Sequence, residues 1–412
     1  MSEVVSIPQL RFPEFRDEWR VDKFVDLCKF QQGVQVDVEL QSTEPKNNFL
    51  RFLRIENYTQ KSNDFRYIPK ELSSNKSITE NEIAIVRYGA TAGYIGRGLK
   101  GVLANNLFKL VLNKDTLDTD YLFHLLRSYK TFCFFQSEMS GGAMPALSFG
   151  IVGALKLPYS SISEQQKIAA FLTVVDNKIE QLSKKQELLG EYKKGLMQQI
   201  FSQAIRFKAD DGSDFPDWEE VKLGNIGEFK TSSVDKKIVE GQKLIQLVNY
   251  MNVYKHENIK NNSTKDLMIV SANETQLNAS DLKKGDILFT PSSETPDDIG
   301  HSVVIFEDLM DTLYSYHLMR FRPKVQLDIL YSHYFCNIPD VLRQISRVAT
   351  GSTRFTISVG EFSKIQINLP SLLEQTKIAN FLSAIDNKIE KVGKQLVESK
   401  QFKKALLQQM FV

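Results

Sequence analysis

Residues 161–201 read SISEQQKIAAFLTVVDNKIEQLSKKQELLGEYKKGLMQQIF, and residues 371–411 read SLLEQTKIANFLSAIDNKIEKVGKQLVESKQFKKALLQQMF. The two stretches align without a gap at an offset of 210, and 19 of the 38 positions from Glu164 to Phe201 are identical. A repeat of this length and separation predicts a duplicated unit that covers about half of the chain.

Apolar residues recur at alternating steps of four and three in both copies, a period that predicts two long helices with a coiled-coil seam. Four polar residues also fall on the seam and predict local breaks in the pairing: Gln186, Lys193, Ser399 and Lys403. Two arrangements stay open. The helices pack on each other as a spacer, or each helix packs on its own domain.

Both helices are predicted to begin with a capping box. Ser161 precedes Glu164 by three residues, and Ser371 precedes Glu374 in the same way. In such a box the serine accepts a hydrogen bond from the backbone amide three residues on, and the glutamate reaches back to the amide of the serine.

The composition is that of an ordinary globular protein, with 42% hydrophobic residues, 25% charged residues and a net charge of +2. We see no apolar run that could cross a membrane and no signal peptide at the amino terminus. Cys28, Cys133 and Cys336 indicate neither a disulfide framework nor a zinc site. We therefore expect an intracellular, cytoplasmic protein whose basic surface, if it binds nucleic acid, is local.

The duplication extends beyond the helices. Residues 8–30 and 205–229 each contain an Arg-Phe pair, a Phe-Pro pair and one of the two tryptophans, Trp19 or Trp218. We interpret each as a segment that docks by burying its indole.

Two apolar runs, 82–86 and 286–290, read as equivalent buried strands. The loops that follow them differ, with RYGATAGY at 87–94 and PSSETPDD at 291–298. A shared frame with changed loops is typical of binding specificity varied on one scaffold, although ordinary loop divergence gives the same contrast. The predicted fold class is α+β, a tandem duplication of a mixed α/β globule followed by a long helix.

We find no catalytic signature. A phosphate-binding loop with Lys-Ser or Lys-Thr is absent, and the glycine-rich stretch 89–98 lacks the strand–GxGxxG–helix context of a dinucleotide or S-adenosylmethionine site. The Asn/Asp-Pro-Pro-aromatic tetrapeptide of amino-methyltransferases is missing as well. His333 and Cys336 form a lone HxxC, which is insufficient for a metal site. We interpret the chain as non-catalytic.

Recognition remains, and both globules carry basic, aromatic and hydroxyl side chains in their loops. Arginine and lysine neutralise phosphates or reach guanine edges, and hydroxyl groups contact either. The candidate DNA-binding residues are Arg87, Tyr88, Thr91, Tyr94, Arg97, Lys100, Ser292, Ser293, His301, Ser352, Thr353 and Arg354.

The doubled pattern LP…EQ.KIA.FL…D.KIE, with the preceding RFPEF…W and FPDWEEVKLG segments, resembles the specificity (S) subunits of type I restriction–modification systems. The resemblance covers essentially the whole chain. It implies two target-recognition domains, at 1–160 and 205–370, that each read one half of an interrupted DNA sequence. It also implies that the helices at 161–204 and 371–412 form an antiparallel coiled coil, with a pseudo-twofold arrangement, that sets the spacer.

The resemblance further implies the partners. Two modification subunits would bring S-adenosylmethionine and methylate adenine, and two restriction subunits would bring ATP and Mg²⁺, while this chain carries no cofactor or metal. We place contacts with the modification subunit in the shared DNKIE motif, at Asp176, Asn177, Lys178, Glu180, Asp386, Asn387, Lys388 and Glu390. A role of these residues in helix register is the alternative.

Two other functions stay open. A self-contained DNA methyltransferase is disfavoured by the missing catalytic motifs. A coiled-coil assembly protein without a DNA role would bind no duplex, even with partner subunits present.

Overall fold

The computed structural model describes residues 7–73, 76–139, 145–257, 259 and 266–411. The chain divides into two compact units. Unit one comprises Met1–Lys184 with Gly393–Val412, and unit two comprises Lys185–Val392. Each unit therefore contains one globule, the beginning of one long helix and the end of the other.

The first half of the chain runs from β1 to α6. Its elements are β1 (Arg20–Lys23), α1 (Phe24–Leu27), β2 (Cys28–Gln32), β3 (Phe49–Leu53), α2 (Ile55–Thr59), β4 (Arg66–Pro69), β5 (Ser77–Ile78), β6 (Ala84–Val86), β7 (Ile95–Gly96), β8 (Gly101–Leu103), β9 (Leu107–Leu112), α3 (Thr119–Leu126), α4 (Tyr129–Glu138), α5 (Phe149–Ala154), β10 (Lys156–Tyr159) and α6 (Ile162–Phe201).

The second half repeats this order with small changes. Its elements are β11 (Glu219–Lys222), α7 (Leu223–Ile226), β12 (Gly227–Thr231), β13 (Lys243–Val248), α8 (Tyr250–Tyr254), β14 (Met268–Ala272), α9 (Glu274–Ala279), β15 (Ile287–Phe289), β16 (Ser292–Ser293), β17 (Ser302–Val304), β18 (Thr312–Tyr314), β19 (Met319–Pro323), α10 (Ile329–Phe335), α11 (Pro339–Val348), β20 (Phe355–Thr356), α12 (Val359–Lys364), β21 (Gln366–Leu369) and α13 (Leu372–Met410).

The strand pairing confirms the duplication. Unit one has a four-stranded sheet in the order β2-β9-β6-β7, and unit two has its equivalent in the order β12-β19-β15-β17. In a second sheet, β3 lies between β4 and a parallel β8, as β13 lies between β14 and a parallel β18. An antiparallel pair, β1 with β10 or β11 with β21, ties the docking segment to the strand that precedes the long helix.

The two long helices, α6 and α13, meet at opposite ends within each unit. In unit one, Ile168 and Leu172 of α6 share a buried core with Leu406 and Met410 of α13. In unit two, Ile200 of α6 shares a core with the beginning of α13. Both cores also contain residues of the adjoining globule, so the helix ends pack on each other and on the globule together.

Two of the polar seam residues form ion pairs that cross from one long helix to the other. Lys193 Nζ lies 2.6 Å from Asp386 Oδ1 in unit two. In unit one Lys403 pairs with Asp176 in the same way. Lys403 is mostly buried, and burial lowers its pKa while the hydrogen bond to Asp176 opposes that shift. The expected breaks at these two positions are therefore charge-paired contacts between α6 and α13.

The capping-box prediction is confirmed for Ser371, whose Oγ accepts from the amide of Glu374 at 3.4 Å, and is wrong for both glutamates. Glu164 is fully buried and accepts hydrogen bonds from Arg11, at 2.7 and 2.8 Å, and from the indole of Trp19 at 3.4 Å. Glu374 is equally buried and accepts from Arg206 and, at 2.9 Å, from the indole of Trp218. A buried carboxylate needs a charged partner, and the docking segment supplies it, so the glutamate cannot turn back to the helix end.

These glutamates explain the docking segments. Trp19 is buried, as expected, and Trp218 is half-buried beside Phe201, with 6.4 Å between the ring centroids. Each long helix thus holds, in its first turn, the segment that precedes its own globule.

Among the described residues, none of the helices has the combination of length and apolar character that a membrane span requires.

Candidate functional site

In unit one, the loop that follows β6 is fixed by backbone hydrogen bonds to the segment before α5. The amide of Leu147 donates to Arg87 O at 2.8 Å, and the amide of Gly89 donates to Pro145 O at 3.1 Å. Gly89 has φ of +90°, a conformation that glycine adopts without strain. The loop therefore starts from a rigid edge of the sheet, which is the arrangement that positions binding residues.

Arg87 is the best-positioned cation of this loop. Its guanidinium lies 4.9 Å from the ring centroid of Tyr88 and 4.7 Å from that of Phe149, within cation–π distance of both. Its Nε is buried without a hydrogen-bond partner. Stacking holds the side chain in one place, and its terminal guanidinium nitrogens, not the buried Nε, are the atoms suited to recognition of a phosphate or a base edge.

The remaining candidates of unit one divide into exposed and engaged side chains. Tyr88, Thr91, Tyr94 and Lys100 are exposed. Arg97 is half-buried, forms an ion pair with Asp120 and lies 4.1 Å from the ring centroid of Phe123. It also lines a cleft of about 250 Å³ together with Tyr94 and Lys61. The structure thus places Tyr94 and Arg97 at one cleft. The ion pair with Asp120 partly neutralises the charge of Arg97.

In unit two, the equivalent loop is fixed at the equivalent point. The amide of Ile357 donates to Pro291 O at 2.9 Å, and β16 pairs with β20. Ser352, Thr353 and Arg354 are exposed just before β20, and Arg354 Nη2 donates to Ser292 Oγ at 3.2 Å. The second half therefore presents its arginine from the segment opposite the loop, not from the loop itself.

Ser292 and Ser293 are buried, unlike the other candidates. The hydroxyl of Ser293 donates to Thr295 O and accepts from the amide of Thr295. These hydrogen bonds shape the loop, because a serine that bonds two residues ahead closes a local turn. The structure therefore gives Ser293 a supporting position below the surface.

Helix α8 clamps the loop of unit two, a role that we did not infer from the sequence. The hydroxyl of Tyr250 donates to Ser292 O, and that of Tyr254 donates to Asp298 Oδ2, both at 3.1 Å. His301, at the end of the loop, bonds Asp298 Oδ1 through Nε2 at 2.8 Å. A Tyr-x-x-x-Tyr spacing places both rings on one helix face, which was the only available signal.

The shared DNKIE motif has the same exposure pattern in both helices. Asn177, Lys178 and Glu180 are exposed, as are Asn387, Lys388 and Glu390, whereas Asp176 and Asp386 are half-buried. Besides its lysine, Asp386 accepts from the hydroxyl of Tyr334 at 2.7 Å. The two aspartates thus form ion pairs and hydrogen bonds within their own unit. The prediction of partner binding therefore depends on the exposed residues of the DNKIE motif.

The helix after β9 places a buried histidine beside this aspartate. His124 Nδ1 lies 3.7 Å from Asp176 Oδ2, and His124 Nε2 lies 3.2 Å from Thr173 Oγ1. Burial lowers the pKa of His124 to about 4, although the charge of Asp176 opposes the shift. His124 is therefore neutral near pH 7 and acts as a packing residue.

In a comparison with known protein families, each half of this chain matches the same family model. The family model for the type I restriction modification DNA specificity domain matches residues 16–189 and again residues 216–399. Among curated relatives, the Type I restriction enzyme MjaVIII specificity subunit of Methanocaldococcus jannaschii is 27% identical over 97% of this chain and 92% of its own length. The putative MjaX specificity subunit of the same organism is 26% identical over 77% of this chain and 73% of its own length.

Solved structures share the fold. The S subunit of a type I restriction–modification system from M. genitalium has a TM-score of 0.60 at 15% identity, and the match covers 99% of both chains. A chain from a study of complex assembly and conformational transition of the type I R-M system has a TM-score of 0.57 at 17% identity, over 95% of this chain and 97% of that one.

Proposed function

Because the chain belongs to the type I restriction–modification DNA specificity family, we propose that each of its units reads one half of an interrupted DNA target. The observation that carries the proposal is that one polypeptide matches the domain model twice, at residues 16–189 and 216–399. Two related but divergent binding units are suited to a target made of two different half-sites. The resemblance stated from the sequence is thereby confirmed at the level of the family.

The loops after β6 and β15, with the segments that pair with them, form the proposed reading surface. Arg87 in unit one and Arg354 in unit two are its leading donors, since Arg87 lies at the anchored start of its loop and Arg354 lies on the segment that pairs with the loop of unit two. Exposed Tyr88, Tyr94 and Lys100 add aromatic and cationic contacts. Backbone phosphates would supply most of the affinity, and base edges would supply the specificity.

Catalysis in this proposal belongs to other chains. Modification subunits, two for each copy of this chain, would carry S-adenosylmethionine and methylate an adenine in each half-site. Two restriction subunits would carry ATP and Mg²⁺. The assembly would be cytoplasmic, and the exposed DNKIE residues of α6 and α13 are the proposed contacts with the modification subunits. We further propose that the pairing of these helices sets the length of the unread spacer.

The test is genome-wide mapping of methylated adenines in cells that carry this chain together with its modification subunit. We expect an interrupted two-part motif that is absent from cells that lack this chain. A motif that is unchanged when this chain is removed would contradict the proposal. A self-contained methyltransferase predicts methylation by the isolated chain, and an assembly protein predicts no duplex binding in any combination, so two control reactions separate these functions.

A further inference from the structure

We propose that His256 and His301 form a binding site for a divalent transition-metal ion such as Zn²⁺, Co²⁺ or Ni²⁺. The site lies in unit two, where the chain leaving α8 meets His301, three residues beyond the loop 291–298. His256 Nε2 and His301 Nδ1 are 3.2 Å apart. The two imidazole rings are 5.3 Å apart between centroids and lie at 61° to each other.

Hydrogen bonds fix the tautomer of each histidine. His256 Nδ1 lies 3.1 Å from the carbonyl oxygen of Ser302, which can only accept a hydrogen bond. His301 Nε2 lies 2.8 Å from a carboxylate oxygen of Asp298, which also accepts. A neutral imidazole has one N–H, so each neutral ring donates that N–H to its outer partner.

The two remaining nitrogens therefore face each other as lone pairs. Two acceptors at this distance repel unless a proton or a metal cation lies between them. A tetrahedral zinc ion, with Zn–N distances of about 2.0–2.1 Å, holds two ligand nitrogens about 3.3–3.4 Å apart. The observed separation of 3.2 Å is close to that value. The pair thus has the spacing of two ligands on one metal ion.

The outer partners are those that metal-binding histidines have. Such histidines donate their second N–H to a carboxylate or a backbone carbonyl, which orients the ring and increases its basicity. Asp298 and Ser302 supply one partner of each kind. Asp298 is itself held by the hydroxyl of Tyr254 at 3.1 Å. The ligand geometry is therefore fixed by the surrounding fold and not by the metal alone.

Water would complete the coordination shell. His256 is exposed, and the His301 side chain is 24% exposed, so solvent reaches the pair. Within the described ranges, no group of three or more His, Cys, Asp or Glu residues is placed to hold a metal ion. The site is accordingly a two-histidine site that keeps open positions for exchangeable ligands.

A bound ion would join α8 to the carboxyl-terminal end of the loop 291–298. The loop is already held to α8 through Tyr250 and Tyr254. A metal ion bound by His256 and His301 would add a third connection between this region and the loop, beside the hydrogen bonds of Tyr250 and Tyr254. The ion would thus order the loop of unit two, and this inference stands whether or not the loop reads DNA.

The test is titration of the metal-free full-length chain with Co²⁺, followed by visible absorption and by calorimetry with Zn²⁺. We expect one ion per chain. His256→Ala and His301→Ala should abolish binding, and Asp298→Ala should weaken it by about 10–100-fold. His317→Ala, a half-buried histidine of the same unit outside the pair, is the matched control and should bind as the parent does.

Stoichiometric binding that survives both histidine substitutions would overturn the proposal, as would the lack of any binding by the parent chain. His301→Gln preserves much of the side-chain volume and serves if the alanine variant unfolds, with circular dichroism as the check on folding. The experiment contains no DNA, so its failure leaves the proposed recognition function untouched.

Discussion

Lys193 Nζ is 2.6 Å from Asp386 Oδ1, and an offset of 210 turns this pair into Asp176 with Lys403, the pair found in unit one. If the two copies paired in parallel and in register, each lysine would face a lysine and each aspartate an aspartate. The pairing of opposite helix ends joins unlike charges twice. The repeated sequence thus selects one orientation, as buried polar residues do in coiled coils.

Reversing one charge of this pair should destabilise unit two. Reversing both should restore part of the loss, since the hydrogen bond from the Tyr334 hydroxyl to Asp386 stays broken. Asp386→Lys leaves Lys193 beside a like charge in a half-buried seam. Breaking a fully buried pair costs about 3–5 kcal/mol, and the cost is smaller here because the side chains of Lys193 and Asp386 are 22% and 35% exposed. Urea unfolding of Asp386→Lys, Lys193→Asp and the double variant measures the coupling. Lys194→Asp, at an exposed neighbour, is the control. Additive effects in the double variant would contradict a specific pair.

Replacing the buried glutamate of the first helical turn should release the docking segment. Glu374→Ala removes the acceptor for Arg206 and for the indole of Trp218. We expect the free energy of unfolding to fall by about 3 kcal/mol, because Arg206 and Trp218 lose a charged partner. Tryptophan fluorescence and limited proteolysis near residues 205–218 report the release. The exposed residue Glu180, changed to Ala on the other helix, should give no such change.

The pH dependence of unit one should carry the signature of His124. Burial lowers the pKa of this group from 6.5 to about 4, so the unfolded chain binds the proton more tightly than the folded chain. The contribution of His124 to the free energy of unfolding is therefore fully present above pH 6.5. It is lost as the pH falls from 6.5 towards 4, and the total loss is roughly 3 kcal/mol. Urea unfolding across this window, compared between the parent and His124→Gln, measures the difference. Equal slopes in the two proteins would contradict it.

The reading surface should respond to arginine substitution one half-site at a time. Arg354→Ala should weaken binding of a cognate duplex by about 1–3 kcal/mol if it contacts a base. If it contacts only a phosphate, the loss is sequence-independent and the salt dependence falls by about one charge. Arg87→Ala should act through the other half-site.

Half-site variants of the duplex identify which half each arginine serves. Lys391→Ala, on the exposed side of α13, is the control. Unchanged affinity and an unchanged methylation motif in both arginine variants would remove these residues from the site.

Patterns within short stretches of sequence predicted the long helices and two of the buried strands. The 210-residue offset and the apolar period gave both long helices, and the paired apolar runs gave β6 and β15. The partners of Glu164 and Asp176 were not accessible in this way. Arg11 lies 153 residues from Glu164, and Lys403 lies 227 residues from Asp176. A capping motif describes only its own turn, and here a long-range ion pair outweighs it.

The site was harder to predict than the fold for a related reason. Loop composition selected Arg354, which is exposed, and Arg87, which is half-buried, but composition does not report burial, so it also selected the buried Ser292 and Ser293. Residues Tyr250, Tyr254 and His256 were missed because their role depends on a loop that follows some 40 residues later. Which of the candidates contact DNA stays a prediction.

The beginning and the end of the described chain are neighbours in unit one, where the amide of Leu10 donates to Gln409 O at 2.9 Å. The link 202–205 joins the end of α6 to the second docking segment at the equivalent point of unit two. In each unit, a docking segment thus begins beside the end of a long helix, through the Leu10–Gln409 hydrogen bond in unit one and through Ile205 N–H to Gln199 O in unit two. A circularly permuted gene, opened in 202–205 and joined at the old ends, would encode the halves in reverse order. Because a docking segment already begins beside the end of a long helix at both places, the permuted protein should fold as the parent does.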